Sequence, residues 1–269
     1  MASDGTGLRA ARIAQEAGGL LERMRARRPH IHSITNLVAN NFTANVLLAA
    51  GAVPSMTDAR NEVAAFVARA DALLVNVGTL DERQGESIEI AVEAANEAGR
   101  PWILDPVFVH FSPPRLAFAR RLLDRRPAVL RGNAQELAAL VSGEAAGQQA
   151  QGLDDEAVAG FAARQGATVA RSGAVDLVTD GDARVRVANG HPYMAQVTAV
   201  GCAVTALMGA FLTVEKDAVA AVATTLAFAG VAGEIAAEKA AGPGTFQPLF
   251  LDAFNAIDAA TLTERTRLS

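Results

Sequence analysis

The sequence predicts an α/β fold with a mainly parallel central sheet and helices on both faces. Short β-prone apolar runs alternate with segments of helical periodicity, which is the pattern of strands joined by crossover helices. The segment 72–77 is almost continuously apolar, as expected for a strand covered on both faces. Hydrophobic residues make up 51% of the chain but aromatic residues only 5%, and this composition favours helix-on-sheet packing.

The first half of the chain supplies four strand–helix units. A helix over 8–27 precedes them and stops before Pro29, because proline disfavours helical backbone at the residue before it. The helix over 36–50 has candidate capping residues at Thr35-Asn36 and ends at Gly51. The predicted strands are 31–34, 53–56, 72–77 and 102–104, and the helices that follow them are 36–50, 61–70, 86–98 and 115–123.

The second half continues the alternation and becomes almost wholly helical from Cys202 to the end. The turn Asp180-Gly181-Asp182 joins two β-prone runs and predicts a hairpin. The apolar stretch 218–232 is the longest in the chain, but it is shorter than a membrane span, so we expect a buried helix. The further strands are 128–130, 168–170, 176–179 and 185–187, and the further helices are 134–140 and 155–164.

We expect a single domain over residues 1–269. A chain of this length can form one large α/β domain with a substantial core. The stretch 143–152 is the only linker-like segment, and it is too short and too central to separate two domains.

Composition excludes several classes of function. The formal net charge of −5 argues against a general nucleic-acid surface. Cys202 is the only cysteine, so an intrachain disulfide and a Cys-x-x-Cys metal site are excluded and a reducing compartment is expected. His32 and His191 lack zinc-ligand spacing, and the Walker motif of P-loop kinases is absent. Residues 1–7 do not resemble a signal peptide, so we expect a soluble cytoplasmic protein without a membrane partner.

Small or polar residues follow six of the predicted strands. In open α/β sheets ligands gather at the carboxyl ends of the strands, so these positions are candidates for binding. Each one alone is weak support, because loops also carry polar residues for solvation. The positions are Asn36, Met56, Asn76-Val77-Gly78-Thr79, Asp105-Pro106, Arg131-Gly132-Asn133 and Ser172-Gly173.

Val200-Gly201-Cys202 opens a long apolar helix. Free backbone N–H groups and the helix dipole make such a helix start a natural anion site, suited to a phosphoryl group. At this position the pKa of the Cys202 thiol is expected to be lowered, so that the thiol could accept a proton from a substrate hydroxyl or orient it. The alternative is that Cys202 is simply a small buried hydrophobic residue.

Asp105 and Glu136 are the carboxylates best placed to hold Mg²⁺, which prefers one or two carboxylates together with phosphate oxygens. The alternative for Asp105 is a turn residue before Pro106, and for Glu136 a favourable charge in the first turn of a helix. Arg131 is either a phosphate clamp or a solvated charge at the end of a strand. Spacing alone leaves these alternatives open.

Several longer motifs follow one another between His32 and Phe250. They are His32-Ser33-Ile34-Thr35-Asn36, Asn41-Phe42-Thr43-Ala44-Asn45, Gly51-Ala52-Val53-Pro54-Ser55-Met56, Asn76-Val77-Gly78-Thr79-Leu80, Leu104-Asp105-Pro106-Val107, Arg131-Gly132-Asn133-Ala134-Gln135-Glu136, Asn189-Gly190-His191, Val197-Thr198, Gly201-Cys202 and Gly242-Pro243-Gly244-Thr245-Phe246. In this order they resemble the hydroxyethylthiazole kinase family of the ribokinase-like superfamily, and the chain looks like a divergent member of it. A collinear set of this kind is far more specific than any single motif.

The resemblance implies a ribokinase-like fold and phosphorylation of the hydroxyl of 4-methyl-5-(2-hydroxyethyl)thiazole by ATP with Mg²⁺, in thiamine salvage. It also implies a homotrimer with the thiazole site near the subunit interfaces. Carried over by position, the thiazole-binding residues would be Asn36, Met56, Gly78, Ala199 and Gly201, those meeting ATP would be Arg131 and Ser172, and those serving the metal would be Asp105 and Glu136. Cys202 would stand where ribokinase relatives have an aspartate base.

Two segments depart from the family pattern. A glycine-rich stretch is expected after Asp105-Pro106-Val107, but this chain has Phe108-Val109-His110-Phe111-Ser112, which could occlude or reshape the pocket. The family's Thr-Gly-x-Gly-Cys turn reads Thr198-Ala199-Val200-Gly201-Cys202 here. If the first glycine requires a positive φ, Ala199 costs about 1–2 kcal/mol.

Two hypotheses therefore follow from the sequence. The first is a thiazole kinase, or a kinase for a related hydroxyalkyl heterocycle, and it is favoured by retention of Asp105, Arg131, Glu136 and Cys202. The second is a catalytically weak or inactive protein on the same fold that binds a thiazole-like ligand, and the two departures favour it. The fold alone does not decide between them, because function depends on the site.

Overall fold

The computed structural model describes residues 3–147 and 152–269, and eight strands in those ranges form one sheet. They are β1 (His30–Ile34), β2 (Val53–Ser55), β3 (Ala72–Asn76), β4 (Trp102–Asp105), β5 (Val129–Asn133), β6 (Thr168–Ser172), β7 (Asp176–Thr179) and β8 (Arg184–Val187). Their order is β2-β1-β3-β4-β5-β6-β7-β8. The first six pair in parallel, and β7 and β8 are antiparallel. The predicted mainly parallel sheet is confirmed.

The helices in the described ranges follow the predicted alternation. They are α1 (Ser3–Arg27), α2 (Asn40–Ala50), α3 (Val63–Arg69), α4 (Glu82–Glu97), α5 (Pro113–Leu123), α6 (Ala134–Ser142), α7 (Asp155–Gln165), α8 (Val200–Leu212), α9 (Ala218–Lys239), α10 (Pro243–Ala256) and α11 (Ala259–Arg265). Short 3₁₀ turns cover Val109–Phe111 and Pro192–Gln196. The linker-like stretch 143–152 includes residues 148–151, which lie outside the described residues.

Helices cover both faces of the sheet, as predicted. One core cluster joins the sheet to α1, α2 and α8–α11, and a second joins its other face to α3–α7. Along β3, Leu74 belongs to the first cluster, whereas Leu73 and Val75 belong to the second. This alternation explains why the β3 sequence is apolar at consecutive positions, since both faces of the strand are buried.

The long apolar run near the C-terminus lies inside α9, a core helix. The run itself is shorter than a membrane span, but the 22-residue helix that contains it is long and apolar enough to pass as one. In its most apolar window, 83% of the residues are buried in the protein. The expected buried helix is therefore confirmed.

Helix α8 is positioned by close packing on the centre of the sheet. A Cβ added at Gly209 would lie 3.3 Å from Ala72 Cβ, 3.3 Å from Ile103 Cδ1 and 3.5 Å from Ile31 Cγ2, so α8 lies against β1, β3 and β4. Because the strands run parallel, their carboxyl ends share one edge. Cys202, in the first turn of α8, contacts the asparagine that ends β3, so the helix begins at that edge.

The start of α2 differs from the prediction. The helix begins at Asn40 rather than after Thr35-Asn36, and its N-cap is Ala39. Asn36 Oδ1 accepts the Ala39 N–H at 3.0 Å, so its side chain closes a turn between β1 and α2 instead of capping the helix. The Asn36 amide nitrogen is thereby left to face the strand-end edge.

Candidate active site

Three side chains from three elements meet at the centre of the strand-end edge. Asn36 follows β1, Asn76 ends β3, and Cys202 lies in the first turn of α8. Asn36 Nδ2 donates to Asn76 Oδ1 at 3.1 Å and to Cys202 Sγ at 3.4 Å. Asn76 Nδ2 donates to the same sulfur at 3.3 Å. Both asparagines are buried, and Cys202 is partly exposed, so the sulfur is at the inner wall of this site.

Gly78 is required at its position by close packing against the two amides. A Cβ there would lie 2.8 Å from Asn36 Cβ and 2.9 Å from Asn76 Oδ1. The Gly78 N–H donates to Asn76 Oδ1 at 3.0 Å, which ties the loop after β3 to the end of that strand. The predicted site residue Gly78 therefore lies next to Asn36 and Asn76, the two residues that contact Cys202.

The head of α8 presents backbone donors, as expected for an anion site. Ala203 N–H is the first of the helix to bond to an earlier carbonyl, that of Ala199 at 2.9 Å, so the preceding N–H groups have no partner within the helix. The Arg131 guanidinium lies beside this turn, since a Cβ on Gly201 would be 2.7 Å from its Nη1. Ala199 has φ 69° and ψ −2°, which confirms that this turn requires a left-handed residue.

Asp105, at the end of β4, is the buried carboxylate of the site. It pairs in register with Asn76 of β3 and is only 1% exposed. By distance and angle, neither carboxylate oxygen accepts a hydrogen bond from a described residue, although the Thr205 hydroxyl and the Asn76 amide lie near enough to lower its pKa. Burial is the main cause that raises the pKa of Asp105 to about 7; Arg131 opposes the rise and Glu136 contributes to it. A buried carboxylate without partners fits a cation-binding role.

The expectation for the Cys202 thiol is wrong. Burial, followed by the nearby Asp105 carboxylate, raises the pKa of Cys202 to about 12, although the amides of Asn36 and Asn76 and the Arg131 charge act in the opposite sense. The position at a helix start is outweighed because the sulfur is largely withdrawn from water. Cys202 is therefore a neutral thiol near pH 7, and of its two expected roles the structure favours orienting a hydroxyl over accepting its proton.

Glu136 lies close to Asp105, but its carboxylate is already bound to backbone groups. Its Oε2 accepts Asn133 N–H at 2.8 Å and completes the capping box of α6. Its Oε1 accepts Phe108 N–H at 2.9 Å and holds the loop after β4. The structure thus supports the alternative of a first-turn helix residue, while lone pairs remain for a water-mediated metal contact.

Met56 and Ser172 lie towards opposite ends of the strand-end edge. Met56 directly follows β2, beside β1, and is half-buried. Ser172 ends β6, pairs in register with Asn133 of β5, and donates from Oγ to Gly132 O at 3.4 Å. The predicted residues therefore form a row along the edge, with Met56 on the Asn36 side and Ser172 on the Arg131 side.

The loop that replaces the expected glycine-rich stretch exposes its two phenylalanine rings. Phe108 has φ 57° and ψ 23°, so it adopts a left-handed conformation. Phe108 and Phe111 are 56% and 52% exposed, with ring centroids 6.1 Å apart. His110 is buried between them and α6, with its ring centroid 4.3 Å from that of Phe111. The rings thus lie mostly in solvent.

Two residues to which the sequence assigned no role belong to this candidate site. Asn76 was visible as a strand-end residue, but the sequence did not show that its amide contacts both Asn36 and Cys202. Thr205 donates to Gly201 O at 2.9 Å and helps to lower the pKa of Asp105. Its only sequence signal is a hydroxyl three residues after Cys202 in an otherwise apolar helix.

The fold and the site define a class of protein. A mainly parallel sheet, with a helix head and an arginine beside a buried carboxylate, suits phosphoryl transfer to a small molecule. The structure is similar to a pyridoxal kinase from Staphylococcus aureus in complex with AMP-PCP (TM-score 0.64, 17% identity, covering 90% of this chain and 97% of that one). It is also similar to a ribokinase-like superfamily protein from Enterococcus faecalis (TM-score 0.64, 12% identity, covering 86% and 88%). The fold is ribokinase-like.

More similar proteins identify the family. The structure of a hydroxyethylthiazole kinase protein from Pyrococcus horikoshii matches with a TM-score of 0.88 and 38% identity, covering 94% of this chain and 98% of that one. A hydroxyethylthiazole kinase from Granulibacter bethesdensis is 43% identical over 265 residues, covering 97% of each chain. The profile of the Hydroxyethylthiazole kinase family matches residues 21–260. The chain belongs to the hydroxyethylthiazole kinase family, and it is a kinase that transfers phosphate to an alcohol.

Proposed function

We propose that this protein transfers the terminal phosphoryl group of ATP to the hydroxyl of 4-methyl-5-(2-hydroxyethyl)thiazole, with Mg²⁺, in thiamine salvage. The observation that carries the proposal is that the Cys202 thiol lies at the head of α8, close to Arg131 and Asp105. An alcohol held by the thiol would lie next to hydrogen-bond donors that can bind a phosphate, namely the N–H groups at the head of α8 and the Arg131 guanidinium. The relatives are named as kinases of this substrate, which favours catalysis over the inactive alternative.

The phosphate groups of ATP would be held by charge and backbone donors. The N–H groups at the head of α8 point along the helix axis, and the Arg131 guanidinium lies over Gly201. Ser172, on the Arg131 side of the edge, would contact the nucleotide. Pyridoxal kinases of the same fold are described in complex with AMP-PCP, which supports ATP as the donor.

The alcohol would be oriented rather than deprotonated by Cys202. Its thiol, with a pKa raised to about 12, keeps its proton at neutral pH and can donate it in a hydrogen bond to the substrate oxygen. Phosphoryl transfer through a loose transition state depends mainly on alignment and charge stabilisation. Asn36, which contacts the thiol, would bind the heterocycle on the β1 side together with Gly78 beside it and Met56 after β2.

Mg²⁺ fits the carboxylate that the structure leaves without a partner. Asp105 has two buried oxygens free among the described residues, and Glu136 lies close enough to assist through water. No group of three or more His, Cys, Asp or Glu in the described ranges could hold a metal, so phosphate oxygens would complete the coordination. When bound, the ion would neutralise charge on the transferring phosphoryl group.

We further propose a single cytoplasmic kinase domain over residues 1–269 that assembles as a homotrimer. One sheet runs through the described residues, which supports the single domain. Leu37 and Val38, next to Asn36, are 76% and 61% exposed. Apolar side chains exposed beside a site suit a subunit interface there, as the resemblance implies.

The test is phosphate transfer from ATP to the thiazole alcohol, measured with Mg²⁺ for wild type, Cys202→Ala and Arg131→Ala. Wild type should turn over, Arg131→Ala should raise the KM for ATP, and Cys202→Ala should lower kcat about 10- to 100-fold with little change in that KM. Binding of the thiazole by wild type without turnover would contradict the proposal and favour the inactive alternative.

A further inference from the structure

The orientation of the Asn76 amide is fixed by backbone donors. Its Oδ1 faces the Gly78 N–H at 3.0 Å, and a backbone N–H can only donate, so the atom that faces it is the oxygen. The other end of the amide is therefore the NH₂ group, and it faces Cys202 Sγ at 3.3 Å. Asn36 is fixed in the same way by the Ala39 N–H, which leaves its own NH₂ group facing the sulfur at 3.4 Å.

This arrangement makes the sulfur of Cys202 a double acceptor. Two amide N–H groups occupy its acceptor side, so the thiol hydrogen must point away from both. Asp105 makes no hydrogen bond with the thiol, and among the described residues the structure provides no other acceptor for it. The S–H bond is therefore available to an oxygen that enters from the partly exposed side.

We propose that Asn76 is a positioning residue that sets the direction of the Cys202 S–H bond towards the acceptor hydroxyl. It also holds Asn36 and Gly78 in place, because Cys202, Asn36 and Gly78 are all hydrogen-bonded to the Asn76 carboxamide. The proposal rests on the proposed function, because it assigns the hydroxyl of that substrate as the partner of the thiol. Asn76 itself is fully buried, and its role is to orient the group that contacts substrate.

A double-mutant cycle separates this role from a merely structural one. Asn76→Ala should lower kcat about 10- to 100-fold in the wild-type background, because a misaligned hydroxyl transfers slowly. In a Cys202→Ala background the same substitution should lower kcat less than about threefold, because the group it orients is absent. Equal losses in both backgrounds would overturn the proposal. The KM for ATP should stay within about threefold of wild type in all variants.

Asn189→Ala is a matched control for the general effect of removing a buried side-chain amide. Asn189 is also buried, and its side chain bonds to Glu234, Arg265 O and Arg267 N, away from Cys202. Asn189→Ala should lower the melting temperature as Asn76→Ala does, but leave kcat nearly unchanged. A kcat loss that follows the melting temperature in both variants would identify Asn76 as structural only.

The infrared S–H stretching band gives a readout that does not require turnover. Cys202 is the only cysteine, so the band reports this thiol alone. Adding the thiazole alcohol without ATP should shift the band to lower frequency in wild type, and the shift should be lost in Asn76→Ala but kept in Asn189→Ala. A band that responds equally in all three would refute the positioning role. If wild type binds with this shift but does not transfer phosphate, the proposed function fails and the positioning stands.

Discussion

Ala199 adopts a backbone conformation that glycine favours over all other residues. With φ 69° and ψ −2°, it is the left-handed N-cap of α8, and its methyl is tolerated at an energetic cost. This backbone strain lies in the turn that presents the Gly201 and Cys202 N–H groups. Strain of this kind at a candidate binding turn persists only because the surrounding packing of α8 holds the turn in place.

We predict that Ala199→Gly stabilises the protein. Relief of the left-handed strain should raise the free energy of unfolding by about 1 kcal/mol, net of the greater freedom of glycine in the unfolded chain. Urea unfolding measures the change. Ala98→Gly is the matched control, because Ala98 is exposed with φ −81° and ψ 0°, and this substitution should instead destabilise by about 0.5–1 kcal/mol. Changes of the same sign in both variants would contradict the strain at Ala199.

Several site residues could be chosen from the sequence for a physical reason. Asn36, Gly78 and Asp105 each follow an apolar run, and parallel strands bring such positions to one edge. The pKa of Cys202 could not be predicted, because the helix-start argument contains no information about burial or about Asp105. Burial depends on which segments pack over the thiol, and that is a property of the tertiary structure.

At the scale of elements, the loop between β4 and α5 departs most from the family pattern. The start of the loop is fixed by two bonds, since Glu136 accepts the Phe108 N–H and Arg115 Nη1 of α5 donates to Val107 O at 3.1 Å. The sequence suggested that its aromatic residues could occlude the pocket. With Phe108 and Phe111 more than half exposed, the rings instead form a surface beside the edge of the site.

Phe108→Gly tests occlusion at the least structural cost. We expect kcat/KM for both substrates to stay within about threefold of wild type, because a ring in solvent adds little to the barrier. We also expect a small gain in stability, since glycine removes the left-handed strain at φ 57°. Steady-state kinetics and urea unfolding measure the two effects. His110→Gly is the contrasting variant, because it empties a buried position and should destabilise. A tenfold rise in activity of Phe108→Gly would show that the ring does occlude the pocket.

The boundaries of elements were harder to predict than their existence. Helix α4 begins at Glu82 rather than at residue 86, because Asp81 accepts the Gln84 N–H at 2.7 Å and caps an additional polar turn. Periodicity detects the apolar stripe of a helix, and the first turn of α4 carries little of it. The same reasoning explains α2, where the polar turn at Asn36 resembles a cap in the sequence but precedes the helix.

For the whole molecule, the alternation of strands and helices was sufficient to predict a parallel sheet covered on both faces. The hairpin of β7 and β8 also followed from its turn. The order β2-β1-β3-β4-β5-β6 does not follow from the alternation, because strand neighbours are selected by long-range packing that one sequence does not display. Gly209 illustrates the point, since its role in bringing α8 onto the sheet is visible only from the atoms around it.

Two buried titratable groups link the stability of the whole fold to pH in opposite directions. Burial lowers the pKa of His32 from 6.5 to about 4, so the unfolded chain binds a proton before the folded chain does as the pH falls. Burial raises the pKa of Asp105 from 3.8 to about 7, so there the folded chain binds the proton first. Between pH 4 and 6.5, acidification therefore destabilises through His32 and stabilises through Asp105. The two effects must be separated by substitution.

Burial keeps His32 neutral, and a chain of hydrogen bonds from β1 to Ser55 and Thr57 fixes which ring nitrogen carries its proton. His30 Nε2 lies 2.6 Å from Ser55 Oγ, Ser55 Oγ lies 2.7 Å from His32 Nδ1, and His32 Nε2 lies 2.9 Å from Thr57 O. The Thr57 carbonyl can only accept, so His32 Nε2 carries the proton, and Nδ1 accepts from the serine hydroxyl. Protonating Nδ1 would break this pattern and place a charge in the core.

We therefore predict a pH-dependent stability difference between wild type and His32→Gln. The contribution of neutral His32 is complete above its unfolded pKa of 6.5 and is lost as the pH falls towards 4. The free energy of unfolding of wild type, minus that of the variant, should fall by about 3 kcal/mol over this range and stay constant above about pH 7.5. Because Asp105 is present in both proteins, its opposite effect cancels in the difference. Urea unfolding at intervals between pH 4 and 8 measures the curve, and parallel stability profiles for the two proteins would refute the assignment.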